Sequence, residues 1–172
     1  MISNYCYSFK EHLRGQKNLE ELKSADDFQI SKLDGINHIP NAIAKDIFVK
    51  NKNLYDSKTI SGNILITIDE QTKAFTDIIG GCERIKKTPI PYSYNIFIKK
   101  FIFIYTITLP IGLATTFFYW TIPISIFILY VLSSLELLAE EIEDPFGVDQ
   151  NDLPLDDICK TIEENVEEIL CN

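Results

Sequence analysis

The sequence predicts an all-α membrane protein: two membrane-spanning helices joined to a set of helices on the water side. Three observations carry that prediction. The 35 residues from Phe101 to Leu135 contain no charged side chain. The charges that remain are segregated, with 15 of the 16 Lys and Arg and 12 of the 25 acids in residues 1–100, and 13 acids against the single Lys160 in residues 136–172. Elsewhere apolar residues recur at helical spacing, and no run has the alternation of a strand.

The uncharged segment reads FIFIYTITLPIGLATTFFYWTIPISIFILYVLSSL. One helix needs ~20 apolar residues to cross a bilayer. As a single straight helix this segment would reach about 52 Å at ~1.5 Å per residue, beyond the ~30 Å hydrocarbon core. Breaks are expected at Pro110-Ile111-Gly112 and at Thr121-Ile122-Pro123. They leave two spans, about 94–114 and 121–140, joined by an uncharged turn carrying Tyr119 and Trp120, aromatics that favour the interface. Lys86, Lys87, Lys99 and Lys100 precede the pair, so the positive-inside rule places both flanks of a multi-pass hairpin in the cytosol. A buried hairpin of a soluble protein is the competing reading, and the length of the uncharged run disfavours it.

The chain therefore divides into a helical region at 1–93, the hairpin at 94–140, and an acidic turn with a C-terminal helix at 141–172. In the first region LEELKSADDF (19–28) reads as a helix running into a loop. A second helix starts at Pro40, with Ile43, Ile47 and Leu54 on one side, since proline suits a first helical position. A third starts after Ser61, a potential N-cap, with Ile64, Ile68, Phe75, Ile78 and Cys82 on its apolar face. The pair Gly80–Gly81 is expected to interrupt that helix or loosen its end. The tail DDICKTIEENVEEIL repeats the pattern with Ile158, Ile162, Val166 and Ile169–Leu170.

The net charge of -9 excludes a basic face of the kind nucleic-acid binding requires. Cys6, Cys82, Cys159 and Cys171 have no ligand or disulfide spacing and read as reduced thiols. His12 and His38 stand far apart in the chain, and no phosphate loop, nucleophile–histidine arrangement or two-histidine zinc helix is present. An enzyme is disfavoured. The one catalytic alternative is an acid cluster of Asp149, Asp152 and Asp156, without a nucleophile or histidine to support it.

Two motifs flank the hairpin. GCERIKKTPIPYSY (81–94) holds Pro89 and Pro91, which forbid a regular helix and set a rigid elbow before the first span. Glu83 and Arg84 are adjacent, so they do not face each other on a helix, and each is expected to anchor to another element. EEIEDPFGVDQNDLPLDD (140–157) ends the second span: Pro145 cannot continue the helix, and Gly147 permits a left-handed turn. Glu136, Glu140 and Glu143 share one face there, at a helix end where the macrodipole disfavours negative charge. A partner is expected: a basic side chain, a cation, or water lining an ion path. Asp149, Asn151 and Asp152 offer calcium-type oxygens, but not in EF-hand order.

FKEHLRG (9–15), GCERIKKTPIPYSY (81–94), YTITLPIGL (105–113) and EIEDPFGVDQNDLPLDDIC (141–159) together resemble the bestrophin family in its bacterial and plant-type branch. On that resemblance Glu83, Arg84, Pro89, Pro91, Tyr94, Pro110, Pro145, Phe146 and Gly147 are the structural motif. The resemblance implies a homo-pentameric ion channel of the cell membrane, with four spans per subunit, a large cytosolic part, and conduction of chloride or other anions. Cation conduction also occurs in the bacterial branch. The family pattern opens with a further segment holding two spans and the pore neck, so this chain is expected to be a subunit or an N-terminally truncated piece. It would act as a homo-pentamer or with complete homologous subunits. The alternative is a non-conducting membrane interaction protein that keeps the fold without the neck. The resemblance also implies a cytosolic constriction near Asn63 and Ile64. Its calcium clasp corresponds here to Asp149, Gln150, Asn151 and Asp152, where two amides replace acids and weaken the attraction for Ca²⁺. No cofactor is expected; lipid bilayer and small ions are the expected surroundings.

Overall fold

The computed structural model describes residues 1–24 and 28–171. Six α-helices follow in order: α1 (Ile2–Arg14), α2 (Ile39–Asp56), α3 (Gly62–Lys87), α4 (Tyr92–Phe117), α5 (Thr121–Glu143) and α6 (Leu155–Cys171), with short 3₁₀ turns at Ile30–Leu33 and Phe118–Trp120. They form two compact units. One joins Met1–Lys87 to Leu153–Asn172; the other is Thr88–Asp152, an insertion in the first.

In the first unit α1 packs against α2 and α6, and α2 packs against α3. Tyr5, Leu22, Phe28, Leu33, Ile39, Ile43 and Ala44 form the core, with Phe75 of α3 packed on it. The Tyr5 ring stacks on Phe75 at 5.1 Å, and its hydroxyl donates to the Phe75 carbonyl at 2.6 Å. Burial pushes that phenol up to about 12. α1 stops at Gly15, whose φ of +72° lets the Gln16 amide turn back to the Glu11 carbonyl at 2.8 Å.

Several local expectations change. Residues 19–24 are not helical, and the rest of the expected helix, 25–27, lies outside the described residues. The reason is visible at Lys23, whose backbone is held at both ends by Asn4: Asn4 Nδ2 donates to the Lys23 carbonyl, and the Lys23 amide donates to Asn4 Oδ1. Those groups are spent across the fold rather than on an i, i+4 ladder. α3 runs unbroken through Gly80 and Gly81 to Lys87; the ~1 kcal/mol propensity deficit of each glycine is small against a helix of this length. Ser61 does cap it, at a long 3.5 Å to the Ile64 amide. The most buried side chain of α3 is Ile79, while Ile78 is 55% exposed. On α6 the buried residue is Cys159, and Ile158, Ile169 and Leu170 are exposed.

α6 meets α1 through paired charges as well as apolar side chains. The Lys10 ammonium is buried and lies between three carboxylates: Asp156 at 2.8 Å, Glu21 at hydrogen-bond distance, and Glu11 at 3.5 Å. Arg14 adds two bonds to Asp156, at 2.7 and 3.2 Å. Farther along, Lys23 reaches Glu163 and Glu167, and the Tyr7 hydroxyl donates to Glu163 at 2.8 Å. Burial works against the Lys10 charge, but the hydrogen bonds to Asp156 and Glu21 outweigh it and hold the ammonium above its usual range. Arg14 and then Lys10 pull the Asp156 carboxyl down to about 2.

In the second unit α4 and α5 pack as a hairpin. The chain is helical almost throughout Tyr92–Glu143, a 52-residue stretch apolar enough by composition to cross a membrane. The turn sits at Phe118, whose φ of +45° reverses the path. The second expected break falls where proline suggested, since α5 begins at Thr121, whereas the first does not, since α4 runs on to Phe117. Pro110 lies inside α4 and Pro123 in the first turn of α5. Pro110 removes the donor to the Thr106 carbonyl, yet α4 continues through it, packed against α5. Tyr119 and Trp120 are at the turn, 88% and 73% exposed.

Because the Asp156 carboxyl is depressed in the fold, its contribution is complete above its ordinary value of 3.8 and is lost as the pH falls through about 2. Protease protection of α6 is expected to persist at pH 5 and to fall away as the pH approaches about 2. In Asp156→Asn the protection is expected to be weakened already at neutral pH.

Candidate functional site

Three clusters gather the residues singled out from sequence. The first is the open end of the helical hairpin. Glu136, Glu140 and Glu143 do share one face of α5, and each meets a partner from α4. Lys99 lies 3.3 Å from Glu136 and within hydrogen-bond distance of Glu140, and Asn95 donates to Glu143 at 3.2 Å. Asn95 and Lys99 are themselves four residues apart, so two matched i, i+4 rows face each other. Residues 99 and 140 would lie roughly 60 Å apart on one straight helix, so this contact alone requires the reversal at Phe118. Beside it Ile90, Tyr94, Phe101, Leu132 and Leu135 line an apolar cavity of about 280 Å³.

The second is the acidic turn. Phe146 is buried at 4% exposure. Asp152 folds back so that its Oδ2 accepts from the Asp149 amide at 2.8 Å, and the Asp152 amide returns a bond to the Asp149 carbonyl. Asn151 donates to Glu141 at 2.9 Å. Gly147 is not left-handed: among the described residues the glycines at positive φ are Gly15 and Gly35. Its smallness is needed for another reason, since a Cβ there would stand 2.5 Å from Asp152 Oδ2. The loop is a closed turn in which Asp152 serves the backbone, and Gln150 is exposed.

The third lies at the end of α3, and sequence reading missed it. Glu83 Oε1 is 2.6 Å from His12 Nε2 and 3.0 Å from His38 Nε2. The two imidazoles lie 4.2 Å apart. His12 sits in the last turn of α1, and His38 caps α2, its Nδ1 accepting from the Asn41 amide at 3.3 Å. Lys87 stands 3.7 Å from the other Glu83 oxygen. The hydrogen bond from His12, reinforced by His38 and Lys87 and opposed by burial, lowers the Glu83 carboxyl below its usual range. The anchoring expected of Glu83 therefore runs to α1 and α2. Two histidines 26 positions apart give no local spacing signal; only the packing of three helices makes them neighbours. Arg84 bonds the Gly80 carbonyl of its own helix.

Asn63 and Ile64 occupy the first turn of α3, both exposed. Pro89 and Pro91 lie between α3 and α4, outside both helices, and Pro145 follows the end of α5. Asp156, the third acid of the catalytic alternative, is committed to Arg14 and Lys10.

Residues 1–168 match the family model described as bacterial/fungal bestrophin protein. A voltage-dependent anion channel-forming protein of Nostoc is 33% identical over 172 residues, covering 98% of this chain and 55% of its own. One from Synechocystis is 34% identical, covering 99% and 56%. The protein of that description from Escherichia coli is 41% identical over 104 residues. The chain thus spans about half the length of the first two relatives, and its match covers about a third of the Escherichia coli protein. Among solved structures, two of a bacterial bestrophin homologue from Klebsiella pneumoniae superpose with TM-scores of 0.86 and 0.88 at 29% identity. They cover 96% and 97% of this chain and 62% and 63% of theirs. These relatives are of channel type, which points away from an enzyme.

Asp152 and Gly147 give a direct test of the turn. Gly147→Ala is expected to destabilise the protein by about 1–3 kcal/mol, read as a lowered melting temperature. Asp152→Ala on the same background is expected to recover part of that loss, a coupling the double-mutant cycle isolates. With the family match over residues 1–168 and relatives a third identical over nearly the whole chain, the chain belongs to the bestrophin family.

Proposed function

We propose that this chain supplies two membrane spans and a cytosolic helical body to a bestrophin-type anion channel, assembled as a pentamer of like subunits or with complete homologues. The observation that carries the reading is topological. The apolar unit Thr88–Asp152 is inserted between two parts of one compact unit, and α1 and α6 are bonded within that unit. A segment that leaves one folded body and returns to it must cross a bilayer an even number of times. With α4 and α5 as the two spans, both flanks lie on one side, and the lysines preceding the pair favour the cytosol.

The exposed side chains of the pair are apolar, among them Phe103 at 66%, Ile111 at 73%, Ile126 at 62% and Phe127 at 65%. Such a surface suits lipid or neighbouring spans and not water. In this reading the Lys99–Glu136–Glu140 cluster clamps the water-side end of the hairpin, its charges paired and partly exposed. Asn63 and Ile64 in the first turn of α3 would form a ring of five around a cytosolic constriction, a narrowing able to gate by dewetting. The 149–152 loop acts as a structural turn, since Asp152 is already engaged with the backbone.

Reconstituted in liposomes together with a complete homologue, the chain is expected to co-assemble and carry chloride flux, and Ile64→Ala is expected to raise that flux. Co-assembly without any flux change would instead favour a fold-retaining partner that does not conduct. Failure to associate would count against both readings.

A further inference from the structure

We propose that His12, His38 and Glu83 form a binding site for one zinc-class divalent transition-metal ion, which clamps α1, α2 and the last turns of α3. The three ligand atoms, one from each residue, all lie within 4.8 Å of one another. A tetrahedral ion holds its ligands at about 2.0–2.2 Å, so that ligand atoms are separated by roughly 3.4 Å. The present separations from Glu83 Oε1 are 2.6 and 3.0 Å. Opening them by under about 1 Å is a side-chain adjustment, not a change of fold.

The donor set chooses the ion. Two imidazole nitrogens and one carboxylate oxygen suit zinc and its neighbours, whereas calcium and magnesium prefer all-oxygen shells. The side chains are 25%, 31% and 22% exposed, and an open cavity of about 210 Å³ lined by His12, Asn37 and Pro40 leads to the first of them. Three protein ligands with solvent access leave a fourth position for water, the pattern of an exchangeable site.

Local chemistry also sets the terms of binding. Without metal, His38 Nδ1 accepts from Asn41, so its Nε2 carries the proton given to Glu83. Metal at Nε2 moves that proton to Nδ1 and breaks the 3.3 Å cap bond. Lys87, 3.7 Å from Glu83, opposes the added charge. Both features argue for a reversible modulator rather than a permanent structural ion. Glu83 lies four residues before the end of α3, so occupancy stiffens the helix that leads to the proline elbow.

Purified full-length chain in detergent, titrated with Co²⁺ and then Zn²⁺, tests this independently of any channel activity. One saturable site per chain is expected, with cobalt d–d absorption and no sulfur-to-cobalt charge-transfer band. A rise in melting temperature is expected with Zn²⁺ and not with Ca²⁺ or Mg²⁺. His12→Gln and Glu83→Gln are each expected to abolish the saturable binding. X-ray absorption of the zinc-loaded wild type is expected to show two imidazoles and oxygen, and it decides the matter should a variant fail to fold. No saturable binding, binding unchanged in both variants, or a sulfur shell from the cysteines would each overturn the proposal.

Discussion

The buried ammonium of Lys10 is the constraint on which the rest of this structure depends. A lysine at 3% exposure is stable only with close anionic partners, and of the three it meets, Glu11 and Glu21 are near in the chain while Asp156 comes from its far end. Asp156 stands 146 residues away and opens α6. By recruiting it, Lys10 closes the chain on itself. The hydrophobic core of the first unit lies mostly on α1 and α2 and the segment between them, whereas α6 buries only Cys159. The C-terminal helix is thus docked by paired charge together with an apolar seam of Phe9, Leu13, Ile158 and Ile162, and this explains how an acid-rich tail folds onto a helix bearing Lys10 and Arg14.

That closure gives the membrane segment its logic. Thr88–Asp152 leaves the first unit and returns to it, so on the proposed reading it crosses the bilayer an even number of times, with the hairpin turn at Phe118 as the return. Lys99 repeats the principle inside the hairpin on a smaller scale: one cation from α4 faces two acids from α5. In both places a positive charge early in the chain selects carboxylates late in it. The opposite balances of residues 1–100 and 136–172 are the compositional trace of that pairing.

Much of this was legible beforehand because it rests on local physics. An uncharged run of 35 residues is too long for one span, and Glu136, Glu140 and Glu143 share a helical face by spacing alone. The proline elbow and the start of α2 likewise follow from proline's missing donor. What stayed hidden depends on packing. Pro110 does not break α4, a helix packed along α5, where tertiary packing outweighs local propensity. Gly147 looked like a left-handed position and is instead a gap under Asp152. The joining of His12 and His38 through Glu83 has no spacing signature, since each comes from a different helix. The family motif marked Glu83 as an anchor, but only the folded chain shows what it anchors to.

The central claim of the proposed function is that, with α1 and α6 in one unit, both flanks of the hairpin lie on one side of the membrane. Membrane-impermeant thiol labelling in cells tests it most directly, on a background with Cys6, Cys82, Cys159 and Cys171 replaced by serine. Asn18→Cys and Lys160→Cys should be labelled only after permeabilisation, while Tyr119→Cys at the hairpin turn should be labelled in intact cells. Labelling of Asn18→Cys and Lys160→Cys from opposite sides would contradict the account.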